Sequence, residues 1–532
     1  MKKIFLFILW FAPAFLIAQE ATTMRPPTVE PIVQLAETIK KEELKRHLSV
    51  LSSDEFEGRE TGTDGQKKAA DYIAKHFEGL DLPRIGDDNS YFQKISFISE
   101  YWTNIKLEVN GDEVKHLLEF YAYPSTNARR DEPSVFNEIV FLGYGIDSEA
   151  YSDYEDVDVE GKAIMIYDGE PLDKNGVSYI TGNEEPSDWS SNWRKKLEAA
   201  KDNGVSTVFI IDTNFKENVE QARRFIRNTG MSLGHSENAE ENYANNVQIS
   251  STVARKILGK KFKKVVRARK KIKRKGKPKS VSIETDISLM QKKRVRQLLG
   301  ENVLGYVEGT DVVLKDEVLI VTAHYDHLGK RGDDIYNGAD DNGSGTSSVL
   351  ELAEAFAEAK KKGWGPRRSV LFMLVSGEEK GLLGSEYYVN RPVFPLENTI
   401  ANVNVDMVGR VDPKHEGNPN YIYVIGADRL SSELHQINEQ ANETYTQLEL
   451  DYTYNEESDP NRYYYRSDHY NFARNGIPAI FYFNGTHEDY HRVSDTIEKI
   501  NFEKMEKIAR LVFYTSWELA NRDKRIEVDV KN

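Results

Sequence analysis

Residues Glu317–Gly345 read EVLIVTAHYDHLGKRGDDIYNGADDNGSG. Val318 to Ala323 is a short, almost wholly apolar run, as expected of a strand buried on both faces of a parallel sheet. His324 and Asp326 follow at its end with Tyr325 between them, and the loop beyond carries Asp340 and Asp341 before a Gly-Ser-Gly turn. Thr346 to Lys360 then reads as a helix, because Val349, Leu352, Ala353 and Phe356 share one face at i, i+3, i+4, i+7 spacing. An imidazole and several carboxylates at the carboxyl end of a buried strand stand where open α/β sheets hold their ligands. A polar loop that happens to carry a histidine is the plainer reading.

Recurrence downstream weighs against that plainer reading. Val370 to Val375 (VLFMLV) is a second apolar run, followed after Ser376 and Gly377 by Glu378 and Glu379; Ile400 to Val405 (IANVNV) is a third, ending at Asp406. Three strands would deliver acidic or imidazole groups to one edge of one sheet. Charges gathered there repel unless cations neutralise them, so a metal site is the economical explanation. Near the end, Tyr490, His491, Ser494, Asp495 and Thr496 in YHRVSDT bring another histidine on a loop.

Two neighbouring ions need a ligand that both share, and a carboxylate suits that bridge; Asp341 is the candidate. Imidazole and carboxylate together suit borderline metals such as zinc. His324 and Asp406 are expected to complete one site, and Glu379 and His491 the other. Asp326 is left to take the second imidazole proton of His324, and Glu378 to deprotonate the water such ions acidify.

These residues, in this order, resemble the co-catalytic two-zinc aminopeptidases, the family that also contains glutamate carboxypeptidase. The matching pieces are His324 and Asp326 after a strand, Asp341 before NGSG, Glu378 and Glu379 in SGEEKGLLGS, Asp406 in VNVDMVG and His491 in YHRVSDT. The resemblance covers Glu57 to Asn110 and Asn302 to the end. It implies two Zn²⁺ ions per chain, and a mainly parallel mixed sheet sandwiched by helices. By the same likeness Arg466, in RSDHYNFARNGIPA, and Tyr490 face the scissile carbonyl, and Asp468 and His469 buttress the site. GYGI and DVEGKAIMIYDG are similar to the β-rich protease-associated insert of larger family members.

The rest of the chain fits around this centre. Met1–Ala18 carries Lys2 and Lys3, then an apolar run from Ile4 to Ile17, and reads as a signal peptide cleaved on export to the periplasm or medium. Residues 19–31 read as a flexible leader, 32–126 as the first part of the catalytic domain, 127–279 as the insert and 280–532 as its main part. Gln93 to Phe97 and Ile105 to Val109 are expected as short strands. There is no cysteine, which excludes a catalytic thiol, and the formal charge of −15 argues against a nucleic-acid role. Arg255 to Lys279 holds no acidic residue and is crowded with lysine and arginine; its partner is unknown, and a solvated helix and linker is the favoured reading.

A secreted metallo-aminopeptidase acting on peptides is the expectation, the acidic pocket attracting the substrate's amine. A carboxypeptidase or dipeptidase of the same family is the alternative that Arg466 keeps open. An acyl transfer like that of single-zinc glutaminyl cyclases fits the complete double ligand set poorly. A non-enzymatic relative such as the transferrin receptor would lack these ligands.

Overall fold

The structure is a computed structural model describing residues 29–227, 230–234 and 242–530. The expected signal peptide, and the leader as far as residue 28, lie outside the described residues. In chain order, helices α1 (Val29–Ala36), α2 (Lys41–Leu51) and α3 (Asp64–Gly79) precede strand β1 (Phe92–Val109). Strands β2 (Ser134–Phe141) and β3 (Ala163–Tyr167), helix α4 (Arg194–Asp202), strand β4 (Thr207–Asp212), helix α5 (Phe215–Arg227), strand β5 (Asn245–Ser250) and helices α6 (Ser251–Leu258) and α7 (Phe262–Lys275) follow. Strand β6 (Val281–Val307) leads to β7 (Val318–His324), α8 (Gly345–Lys361), β8 (Ser369–Val375), α9 (Leu383–Asn390) and β9 (Thr399–Val405). The chain closes with β10 (Tyr421–Ile425), α10 (Ser432–Ala441), β11 (Glu449–Asp451), α11 (His469–Ala473), β12 (Ala479–Phe483) and α12 (Phe502–Asn521).

The sheet that carries the candidate site runs β11-β10-β12-β9-β7-β8-β6. Its centre is parallel: β7 pairs with β8 on one side and β9 on the other, and β9 with β12. All seven residues of β7, β8 and β9 are buried, because helices cover both faces, which is why these strands are mainly apolar; Asn402 and Asn404 of β9 are buried against Thr322 of β7, at 3.1 and 2.7 Å from its hydroxyl. On α8, Phe356 packs against Phe372 of β8 and against Phe513 and Trp517 of α12, with ring centroids 5.6, 5.3 and 5.3 Å away. That aromatic stack locks both helices to the sheet and so fixes the strand ends where the polar residues emerge.

Two cores exist. The second reaches from Leu107 to Leu289, and so draws on strands to either side of 127–279. Its strands β2, β3, β4 and β5 run parallel in that order, with β2 antiparallel to β6. Helices α4, α6 and α7 contribute Leu197, Ile257 and Ile272 to it. The long strand β6 belongs to both halves, pairing with β2 through Val281–Leu289 and with β8 through Val303–Val307. Here the expectation of two short strands fails: Gln93–Phe97 and Ile105–Val109 are two ends of one strand, β1. Its antiparallel partner β6 carries the pairing through the intervening polar residues, with one irregularity between Trp102 and Asn104.

The basic run is helical. Val265, Ala268 and Ile272 of α7 are buried in the second core, while Lys263, Lys264, Lys270, Lys271 and Lys275 are exposed. Lys256 pairs with Asp112 at 2.9 Å, and Arg269 covers the Tyr167 ring at 3.7 Å. Among the described residues no helix is long and apolar enough to cross a membrane.

Candidate metal centre

The carboxyl edge of the parallel strands gathers the polar residues that the sequence places after them. His324 is the last residue of β7, Glu378 and Glu379 form a single turn just past β8, and Asp406 directly follows β9. Asp341 sits in the turn that opens α8, and His491 in the loop after β12, with a left-handed backbone (φ 59°). That conformation is unfavourable for a side chain with a Cβ and persists only where the surroundings enforce it.

Two clusters form, and Asp341 belongs to both. His324 Nε2 lies 3.4 Å from Asp341 Oδ1, 3.3 Å from Asp406 Oδ1 and 3.8 Å from Glu378 Oε2. His491 Nε2 lies 3.0 Å from Asp341 Oδ2 and 3.2 Å from Glu379 Oε1. The two oxygens of one carboxylate therefore face opposite clusters, the arrangement a shared ligand needs. Arg466, Tyr490, Met407, Tyr463, Phe481 and Phe483 join this edge around a small cavity. Arg466 is exposed, and one of its terminal nitrogens is 3.4 Å from the Tyr490 hydroxyl.

Neighbouring groups hold the candidate ligands in place. Arg59 is fully buried, and its guanidinium donates to the carbonyls of Leu51, Asn337, Tyr325 and Gly338 at 2.5, 2.7, 2.8 and 3.0 Å. It thus ties the end of α2 to both polar loops. The Asp340 carboxylate accepts from the Gly409 amide at 2.7 Å and from Ser344 Oγ at 2.9 Å, and so ties its loop to the segment after β9. Asp495 accepts from the amides of Asp340 and Asp341 at 3.1 Å. Ser467 Oγ donates to Asp406 Oδ2 at 2.8 Å, and Asp468 accepts from Ser385 Oγ at 2.5 Å. The ring of His469 stacks on Phe481.

Asp326 is placed differently from the sequence expectation. His324 Nδ1 lies 3.1 Å from the Asp326 backbone carbonyl, whereas the nearer carboxylate oxygen is 3.9 Å away. That carboxylate is engaged elsewhere, accepting from Thr61 Oγ1 at 2.7 Å and from the Glu378 amide at 3.2 Å. The main chain of Asp326 therefore sets the His324 tautomer, leaving Nε2 free toward the cluster, while its side chain positions Glu378.

The electrostatics are those of an anion-rich cavity. Burial opposes charge on His324, yet Asp406 and Glu378 hold its pKa well above the usual imidazole range. His491, opposed by burial and favoured by Glu379 and Asp341, is pushed up to about 10. Burial, then the charges of Glu379 and Asp406, lift Glu378 well above the usual carboxylate range. Burial followed by Asp341 and Glu379 keeps Tyr490 a neutral phenol, able to donate. Asp341 Oδ2 and Asp406 Oδ1 are buried and receive no hydrogen bond. Unsatisfied carboxylate oxygens beside imidazole nitrogens are a donor set suited to a borderline divalent cation, and His324, Glu378 and Asp406 do converge closely enough to hold one.

A second convergent set is His327, Asp341 and Glu379. His327 was not among the expected site residues, and neither was Arg59. Within HYDHLG nothing separates a third imidazole from an ordinary loop histidine, and a buried arginine bound to carbonyls leaves no periodic signal.

Residues 302–516 match the model of peptidase family M28. The chain is 30% identical over 213 residues to a probable leucine aminopeptidase of Trichophyton verrucosum (strain HKI 0517), covering 38% of this chain and 55% of that protein. It is 28% identical over 232 residues to aminopeptidase YwaD of Bacillus subtilis (strain 168), covering 42% and 46%. A probable glutamate carboxypeptidase of Arthroderma benhamiae is 36% identical over 107 residues, 20% of this chain and 14% of that one. The chain thus spans about half the length of the aminopeptidases it matches. Among solved structures, the aminopeptidase from Aneurinibacillus sp. strain AM-1 superposes with a TM-score of 0.57 at 19% identity, over 94% of this chain and 98% of that one. At that identity the likeness shows the fold.

Proposed function

We propose that this chain, whose residues 302–516 belong to peptidase family M28, is an exported zinc aminopeptidase that releases amino-terminal residues from peptides. The observation that carries the reading is the pair of clusters sharing Asp341, with Glu378 beside them. His324, Asp341 and Asp406 would hold one zinc ion, and Asp341, Glu379 and His491 a second. Bound there, zinc would acidify a water and polarise the scissile carbonyl. Glu378 takes the proton of the attacking water and passes it to the leaving amine. The Tyr490 hydroxyl donates to the carbonyl oxygen as negative charge builds on it. The buried carboxylates attract the substrate's ammonium group, and Tyr463, Phe481, Phe483 and Met407 offer an apolar wall to a side chain.

A panel of free, amino-blocked and carboxyl-amidated peptides, with and without a chelator, tests this. Cleavage that needs a free amino end and is lost on chelation is the expected result. Arg466, exposed at the rim of the same cavity, favours the second reading, a carboxypeptidase that holds a terminal carboxylate. Cleavage that ignores amino blocking but stops on amidation would establish it instead.

A further inference from the structure

We infer that α7 is a peripheral docking face for an anionic phospholipid surface, a role separate from the metal-type site. Arg255–Lys279 holds fifteen lysines and arginines and no aspartate or glutamate, in a chain whose formal charge is −15. The fold sorts these cations. Val265, Ala268 and Ile272 turn one face of α7 into the second core. With about 3.6 residues per turn, the opposite face carries Lys263, Arg267, Lys270 and Arg274, all exposed. Lys264, Lys271 and Lys275 follow along one flank and Lys273 along the other, exposed as well. Neighbours inside the chain engage only the margin of this array: Lys256 pairs with Asp112, and Arg255 and Arg269 cover the rings of Phe262 and Tyr167. Among the described residues none of the four outward side chains meets a carboxylate.

Shape selects the occupant. The outward row runs about 16 Å along the helix axis, and its members stand three or four positions apart, so their fields add within a Debye length at physiological salt. Because both flanks are charged too, the array has width as well as length, and it sits on the convex side of a helix. A single polyanionic strand would reach the row or one flank, whereas small mobile headgroups can gather beneath all of it. Each lysine or arginine near an anionic bilayer contributes roughly 5-fold to partitioning. The apolar residues of α7 are committed to the second core, so the helix has no face left to insert, and the attraction is electrostatic and reversible by salt.

Cosedimentation of the full-length protein with vesicles tests this, using phosphatidylcholine alone or with about one-third phosphatidylglycerol, at about 0.1 and 0.5 M salt. The expected result is binding to the anionic vesicles alone, lost at the higher salt. K263Q/R267Q/K270Q/R274Q should weaken it by at least about 100-fold, and K263R/K270R should retain it. K40Q/K75Q/K106Q/K524Q removes the same charge from exposed positions elsewhere and should stay within about 3-fold of wild type. Circular dichroism and thermal unfolding matching the wild type show that each variant is folded. Equal binding to uncharged vesicles, wild-type affinity in the first variant, or an equal loss in the last overturns the assignment. Displacement from the vesicles by dextran sulfate at matched anionic charge would give the face to a soluble polyanion instead. Salt-sensitive self-association that the first variant abolishes, without vesicle binding, would give it to a second copy of the chain. Either outcome also overturns the proposal, and neither depends on whether the chain is a peptidase.

Discussion

One residue before Glu379, which turns to the second cluster, Glu378 stands 3.8 Å from His324 Nε2 and converges with His324 and Asp406. Its amide is fixed by the Asp326 carboxylate, so the side chain projects over the clusters from a rigid turn. E378Q keeps this shape but cannot carry a proton. It should lower kcat by at least about 10²-fold with zinc content near that of the wild type; wild-type turnover would remove the proposed base. Y490F deletes a donor aimed at the same cavity, and a kcat loss of about 10²-fold with little change in KM is the expected signature. Arg59 acts through architecture. R59A leaves four backbone carbonyls without their donor, a loss on the order of 3 kcal/mol or more, measurable by denaturant unfolding of the apoprotein. That none of these supporting contacts was legible beforehand follows from their nature: they join residues up to 279 positions apart through main-chain groups every residue possesses.

The elements sort into those with strong local signals and those defined by a partner. The runs at Val318, Val370 and Ile400 are strands in the structure nearly as read, since complete burial demands mainly apolar sequence, with the buried Asn402 and Asn404 satisfied by side-chain hydrogen bonds. β1 differs, because its half-buried middle has no such pattern and exists as strand through its pairing with β6 and, over Phe97–Glu100, with the short strand Gly230–Leu233. In the second core, the loop after β2 buries Asp153, which accepts from the Tyr151 hydroxyl at 2.6 Å and the Tyr144 amide at 2.8 Å. Burial outweighs these bonds and pushes the carboxyl up to about 6. A raised carboxyl favours the fold while protonated, so its contribution is complete below about pH 4 and is lost as pH rises through about 6. Thermal unfolding of the second core should show that decline, and D153N should flatten it. On α7, I272D places a charge in this core and should destabilise it by on the order of 3 kcal/mol or more, whereas K270E and K271E on the wet face should stay within about 0.5 kcal/mol.

At the scale of the whole molecule, the two large cores share one continuous strand, and among the described residues the metal-type clusters lie beside the first of them. Ions that bind the folded state alone stabilise it by about 4 kcal/mol each at a thousandfold excess over Kd. Calorimetry should therefore show chelation lowering the transition of the core built on β7, β8 and β9, with zinc restoring it. The transition of the second core should move little. A chelator-insensitive first core would argue against any resident ion. The sequence by itself determined the buried strands, the helix after Asp341 and the residue types at the sheet edge, because those follow from apolar periodicity and from charges that cannot be crowded without cations. Only the tertiary structure decided that Asp341 turns one oxygen to each cluster, that the Asp326 carbonyl rather than its carboxylate meets His324, and that His327 joins the second cluster. Those outcomes depend on distances of a few ångströms between segments far apart in the chain, which loop packing around Arg59 and Gly338 sets and no local pattern encodes.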